Sequence, residues 1–150
     1  MNQKIFFIII LISVIGLSYS CEDKPQEEID QELIQDYISS HNLNVTQHAS
    51  GLWYEIIKEG GSVHPNSNSK INVDYVGTLL DGTKFDSGED INMILGSTIT
   101  GWQIGIPLVG EGGEIFLIIP SGMGYGPHDQ GSVPKNSVMV FEVKLNFVAK

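Results

Sequence analysis

Apolar residues fall into three rhythms along this chain, and each predicts a different kind of element. From Ile5 to Leu17 they form a near-continuous run broken only by Ser13 and Gly16. As a helix that run is about 20 Å long at roughly 1.5 Å per residue, short of the ~30 Å hydrocarbon core of a bilayer. It suits the apolar stretch of a secretory signal, with Lys4 just ahead of it. From Ile29 to Ser40 the rhythm is helical: Ile29, Leu33, Ile34, Tyr37 and Ile38 recur at helical spacing, with acids in the first turn. Such a stripe predicts packing against the following domain or against a second copy. From Gly51 onward the period shortens to that of strands, at Leu52–Ile57, Ile71–Val76, Ile91–Leu95, Glu114–Ile119 and Ser137–Val148.

The polar segments punctuate this pattern. Residues 22–28, with Pro25, read as a tether, and residues 41–50 as a polar loop. Gly60-Gly61 ends the first strand, and residues 62–70 are rich in Asn, Ser and Pro. Asp81-Gly82 is a tight-hairpin signal between Thr78-Leu79-Leu80 and Thr83-Lys84-Phe85. Trp102 to Leu108 reads as a short helix stopped by Pro107 or Gly110, and residues 122–133 as a long loop of the kind that carries function. Four or five antiparallel strands with one short helix make an α+β domain at residues 51–150. Residues 1–20 form the signal, and residues 21–50 the tether and N-terminal helix. No internal repeat is present.

Composition narrows the function. The net charge is -10. Such a chain is a poor candidate for binding nucleic acid, whose phosphates demand clustered Lys and Arg, and no nucleic-acid partner is expected. The same charge would be repelled by anionic lipid head groups, so attachment to a membrane requires another device. The 17 glycines favour turns and short strands over long helices. A single cysteine, Cys21, rules out an intrachain disulfide framework.

Recognisable catalytic constellations are missing. His41, His48, His64 and His128 are scattered without metal-ligand spacing, so no metal and no cofactor is expected. No Gly-x-Ser-x-Gly elbow occurs. Gly110-Glu111-Gly112-Gly113 lacks the Lys of a phosphate loop and reads as a turn. Asn44-Val45-Thr46 matches a glycosylation sequon by chance. What remains is a set of aromatic and aliphatic residues, Tyr75, Phe85, Ile99, Trp102, Tyr125 and Phe141, each of which taken alone reads as core.

Their order and surroundings change that reading. Five blocks occur in sequence: Val73 through Ser87; Leu95-Gly96 with Ile99-Thr100-Gly101-Trp102; Gly112-Gly113-Glu114 leading to Ile118-Ile119-Pro120; Gly124-Tyr125-Gly126; and Val133-Pro134-Lys135-Asn136-Ser137 leading to Phe141-Glu142-Val143. Together they closely resemble the FKBP-type peptidyl-prolyl cis/trans isomerases, over about residues 51 to 148. The resemblance implies a curved antiparallel sheet wrapped around one short helix, here preceded by the N-terminal helix, with an apolar pocket between sheet and helix. It implies Trp102 as the pocket floor, and Tyr75, Phe85 and Phe141 as aromatic walls. Ile99 would line the pocket and offer its backbone N–H to a substrate carbonyl. Tyr125 would offer its hydroxyl, Asp86 would accept hydrogen bonds at the rim, and Val133 would supply an apolar edge.

The implied substrates are proline-containing polypeptides. Rotation about an Xaa-Pro bond is slow, against a barrier near 18–20 kcal/mol created by amide resonance. The twisted transition state has lost that resonance and is less polar, so an apolar pocket favours it over the planar ground state. No acid, base or metal is required. Three positions depart from the family pattern: Ile91 stands near a wall position that is often aromatic, Thr98 where an aliphatic is usual, and Ser132 where an apolar residue is common. Ile91, Thr98 and Val133 are therefore expected to shape substrate binding. The alternative readings are a proline-peptide-binding or chaperone module with little catalysis, and a surface component dimerising through the N-terminal helix. Oligomeric state, monomer or dimer, stays open.

Leu17-Ser18-Tyr19-Ser20-Cys21 resembles a bacterial lipoprotein signal, with Ser18 where Leu is usual and Tyr19 where a smaller residue is usual. The resemblance implies lipid on Cys21 and attachment to a bacterial membrane at its periplasmic or surface face. Acyl chains contribute about 0.8 kcal/mol per buried CH₂, enough to overcome the acidic repulsion. An ordinary secreted protein with a free thiol is the other reading.

Overall fold

The computed structural model describes residues 24–149. The apolar run Ile5–Leu17 and Cys21 lie outside them. Two helices, α1 (Gln26–His41) and α2 (Thr100–Gly105), accompany six strands: β1 (Thr46–Gln47), β2 (Trp53–Lys58), β3 (Lys70–Leu79), β4 (Lys84–Ile94), β5 (Glu114–Ile119) and β6 (Met139–Ala149). The strands form one antiparallel sheet in the order β1-β2-β5-β6-β3-β4. This is the α+β arrangement expected, with one more strand. The addition, β1, lies inside the segment read as a loop; its two residues are polar and exposed, so nothing in their pattern announces a strand.

β5 explains the layering. Its sequence, Glu-Ile-Phe-Leu-Ile-Ile, is almost wholly apolar because both faces of the strand are covered. Ile115, Leu117 and Ile119 point into the main core, with Leu52, Ile71, Val73, Trp102, Ile106, Phe141, Val143 and Leu145. Phe116 and Ile118 face the other way, joining Val138, Val140 and Ile34 of α1 in a second cluster. The sheet is thus sandwiched between α2 on one face and α1 on the other. The stripe on α1 is rotated from the one expected: Asp30 and Ile34 are buried, whereas Leu33 is 43% exposed. α1 also begins three residues before Ile29, after Pro25, whose φ of -53° suits a helix entrance.

α2 lies close to the sheet. A Cβ at Gly101 would fall 2.5 Å from Cγ2 of Ile119, and one at Gly105 would fall 2.6 Å from Cδ2 of Leu117. Side chains there would lift α2 off β5. The helix is shorter than the expected 102–108 segment, because Pro107 turns Ile106–Leu108 into a tighter 3₁₀ turn.

β4 is one long strand where the sequence suggested a hairpin arm and a separate short strand. The Ser87-Gly88-Glu89-Asp90 segment has loop composition, yet β3 pairs along it with register shifts at Val73/Tyr75 and Gly77/Thr78. Asp90 adopts φ 57°, and its N–H donates to Oδ1 of Asp74 at 2.7 Å. The buried Asn72 donates to Oδ1 of Asp90 at 2.8 Å and accepts from Asn146 at 2.9 Å. These bonds hold the irregular strand in place. Among the described residues no helix is long and apolar enough to cross a membrane.

Candidate functional site

The candidate site is a cavity of about 490 Å³ between α2, the β3–β4 hairpin and the segment after β5, lined by Tyr75, Phe85, Asp86, Met93, Thr98, Ile99, Trp102, Tyr125 and Phe141, among others. A larger groove of about 900 Å³ opens on the opposite sheet face, among Glu55, Glu114, Glu142 and Lys144. That groove has no tryptophan floor and a largely charged rim, so the smaller cavity is the better candidate.

Adjacent strands bring the aromatic rings together. Tyr75 comes from β3, Phe85 from β4, Phe141 from β6 and Trp102 from α2. Trp102 meets Tyr75 edge-on at 5.1 Å and Phe141 edge-on at 5.3 Å. Phe85 meets Phe141 edge-on at 5.4 Å. Such geometry places the positive edge of one ring against the negative face of the next, worth about 0.5–1.5 kcal/mol per pair. Gly77 makes room for it: a Cβ there would sit 2.7 Å from Cζ of Phe85 and 2.8 Å from Cε1 of Phe141.

The polar groups are few. The Tyr75 hydroxyl donates to Oδ2 of Asp86 at 2.8 Å. Burial, reinforced by the Asp86 carboxylate, pushes the Tyr75 hydroxyl up to about 12. Burial also raises Tyr125, with the Asp86 charge adding to it, so both phenols stay protonated donors at neutral pH. The Trp102 indole N–H is buried and finds no acceptor among the described residues. Ile99 precedes α2 and its carbonyl accepts from Trp102 and Gln103. The Thr98 hydroxyl is spent on the Leu95 carbonyl at 2.7 Å, leaving its methyl as the apolar feature. Among the described residues no group of three or more His, Cys, Asp or Glu is placed to hold a metal.

Two residues expected at the pocket lie off it. Ile91, paired with Val73 on the edge strand, is 38% exposed; its Cγ1 lies against the bare backbone of Gly88, and the cavity lining has Met93 instead. Val133 is held in a reciprocal bridge with Gln130, and its side chain belongs to the main core. Sequence reasoning missed Met93 and Gly77. The alternation Ile91–Met93 was the available signal for the first, and the small residue between Val76 and Thr78 for the second. Ser132 donates a long hydrogen bond, 3.4 Å, to the Phe85 carbonyl.

The FKBP-type peptidyl-prolyl cis-trans isomerase family model matches residues 61–146. FkpA of Aeromonas hydrophila, an FKBP-type peptidyl-prolyl cis-trans isomerase, is 36% identical over 127 residues, covering 81% of this chain and 47% of that protein. The FK506-binding protein of Neisseria meningitidis is 41% identical over 102 residues, covering 63% of this chain and 94% of that protein. The crystal structure of FkpA from Escherichia coli superposes with a TM-score of 0.71 at 30% identity, over 82% of this chain and 62% of that one. A peptidyl-prolyl isomerase structure from Pseudomonas syringae gives 0.71 at 27% identity, over 86% and 99%. The chain spans about half the length of the curated FkpA relatives it matches. With the family model matching more than half of its length, the chain belongs to the FKBP-type peptidyl-prolyl cis-trans isomerase family.

Proposed function

We propose that this protein accelerates cis/trans rotation of Xaa-Pro bonds in polypeptides that enter the aromatic cavity. The observation that carries the reading is the box of Tyr75, Phe85, Trp102 and Phe141, with ring centroids 5.1–6.4 Å apart. A proline ring seated on Trp102 leaves water, and the amide beside it sits where polarity is poorly supported. The planar, resonance-stabilised amide loses more there than the twisted one, and the barrier falls. Each ~1.36 kcal/mol of that difference is worth tenfold in rate. The Ile99 N–H and the Tyr125 hydroxyl are the donors available to hold the peptide carbonyls. Asp86, accepting the hydrogen bond from the Tyr75 hydroxyl, keeps that wall upright.

We further infer that the protein is exported, that Cys21 carries lipid, and that its substrates are exported proteins in the course of folding. The short apolar segment and the Ser20-Cys21 junction support this.

The activity is tested by following isomerisation of a short Leu-Pro peptide with the purified protein, beside a Phe85→Ala variant whose folding is checked by circular dichroism. Acceleration that drops at least tenfold in the folded variant supports the reading; no acceleration by the folded parent sinks it. Lipidation is tested by palmitate labelling in expressing cells, which Cys21→Ala must abolish. A proline-peptide-binding module with little catalysis is the second reading, favoured by the displacement of Ile91 from the cavity wall.

A further inference from the structure

We propose that Asp30 of α1 is a positioning residue for the cavity, acting through the segment that presents Tyr125. This inference rests on the isomerase reading for its effect on rate. Asp30 lies outside the stretch matched by the family model, on a helix packed against the opposite face of the sheet. It is 1% exposed, the only charged side chain so buried among the described residues.

Both its oxygens are engaged. Oδ2 accepts the N–H of Ser121 at 2.7 Å, and Oδ1 accepts from Nε2 of Gln26 at 2.7 Å. Ser121 follows Pro120, where β5 ends. Its carbonyl accepts the N–H groups of both Gly124 and Gly126, each at 2.9 Å. Tyr125 stands between those two glycines. Three hydrogen bonds therefore run from the Asp30 carboxylate to the residues flanking the cavity's tyrosine.

The two glycines differ in their surroundings, and Gly126 is also held by the Asn136 N–H, which donates to its carbonyl at 2.7 Å. Gly124 rests on Met139, where a Cβ would fall 2.1 Å from the methyl carbon. Gly126, at φ 58°, has nothing within 4 Å of where its Cβ would be. An open cavity of about 440 Å³, lined by Gln26, Asp30, Gly51, Pro127 and Asn136 among others, lies between the first turns of α1 and the segment. A charge-assisted bond from a buried carboxylate is the strong kind, and its loss leaves the Ser121 N–H unpaired in a buried place.

The test is a double-mutant cycle on the full chain. Asp30→Ala is expected to lower kcat/KM on a Leu-Pro peptide about tenfold. In a Tyr125→Phe background the same change is expected to cost less than twofold. Asp30→Asn, which keeps one acceptor oxygen, is expected to retain most of the activity; should Asp30→Ala fail to fold, Asp30→Leu, which fills the space without an acceptor, takes over the cycle. Amide hydrogen exchange gives a readout independent of turnover: Gly124 and Gly126 lose protection in Asp30→Ala while the amides of β5 and β6 keep theirs. Additive losses in the cycle, unchanged protection at the two glycines, or protection lost equally across β5 and β6 would each overturn the proposal. An inactive parent with the expected exchange pattern would overturn the isomerase reading while bearing out the hold of Asp30 on the Tyr125 segment.

Discussion

The hydroxyl of Tyr75, on the third strand, donates to the carboxylate of Asp86, on the fourth, across the mouth of the cavity at 2.8 Å. The bond ties the two arms of the hairpin where the register shifts at Gly77/Thr78, and it fixes the Tyr75 ring against Trp102 and Phe141.

Its pH dependence has a definite sign. Burial and the Asp86 carboxylate raise the Tyr75 hydroxyl to about 12 in the folded protein, against about 10 in an unfolded chain. The folded state therefore holds this proton more tightly, and the associated stability is complete below about pH 10. It is lost as pH rises from about 10 through 12. Tyr75→Phe is expected to be less stable than the parent by about 1 kcal/mol at pH 8, and the gap closes across that window. Urea midpoints of both proteins from pH 8 to 12 measure it, and a gap that stays constant contradicts the account.

The seat of the short helix gives a second prediction. Replacing Gly101 by Ala improves helix propensity by about 0.5–1 kcal/mol, but the new methyl would fall 2.5 Å from a buried Ile119 side chain. Overpacking of this kind costs about 1–3 kcal/mol, so the net effect is destabilising. Trp102 moves with the helix, and isomerase activity is expected to fall with stability. A thermal melt of Gly101→Ala above that of the parent would show that the helix is not seated as described.

The N-terminal helix gives a paired prediction. Ile34 is wholly buried against Ile118 and Val140, and Ile34→Ala is expected to cost about 2–5 kcal/mol. Leu33, its neighbour, is 43% exposed, and Leu33→Ala is expected to stay within about 0.5 kcal/mol. Equal costs in denaturant titrations would mean that the helix does not lie on this sheet in this rotation.

What was legible in the sequence follows from what repeats. Alternation along Ile71–Val76 and Ser137–Val148, and the ordered aromatic blocks, place the sheet and the cavity walls. The rotation of the first helix was not legible, because Asp30 reads as an ordinary acid near a helix start. Only the fold brings the Ser121 N–H to it, from ninety-one positions away. The course of the fourth strand was hidden for a related reason. Ile91 and Met93 share a parity, so alternation cannot say which reaches the cavity. The bend around Gly88 and Asp90 decides that, and it is set by Asp74 and Asn72 on the neighbouring strand.

The strand order carries a consequence for how the molecule comes into being. The last strand, Met139–Ala149, lies between the third and the fifth, joining the two halves of the sheet. Until those residues leave the ribosome, the third strand has only the fourth to pair with, and the fifth only the second. Before that strand is in place the sheet is two separately paired ribbons, each with an unpaired edge. Such long-range pairing is slow to form, so the two ribbons keep their unpaired edges for longer than strands adjacent in sequence would.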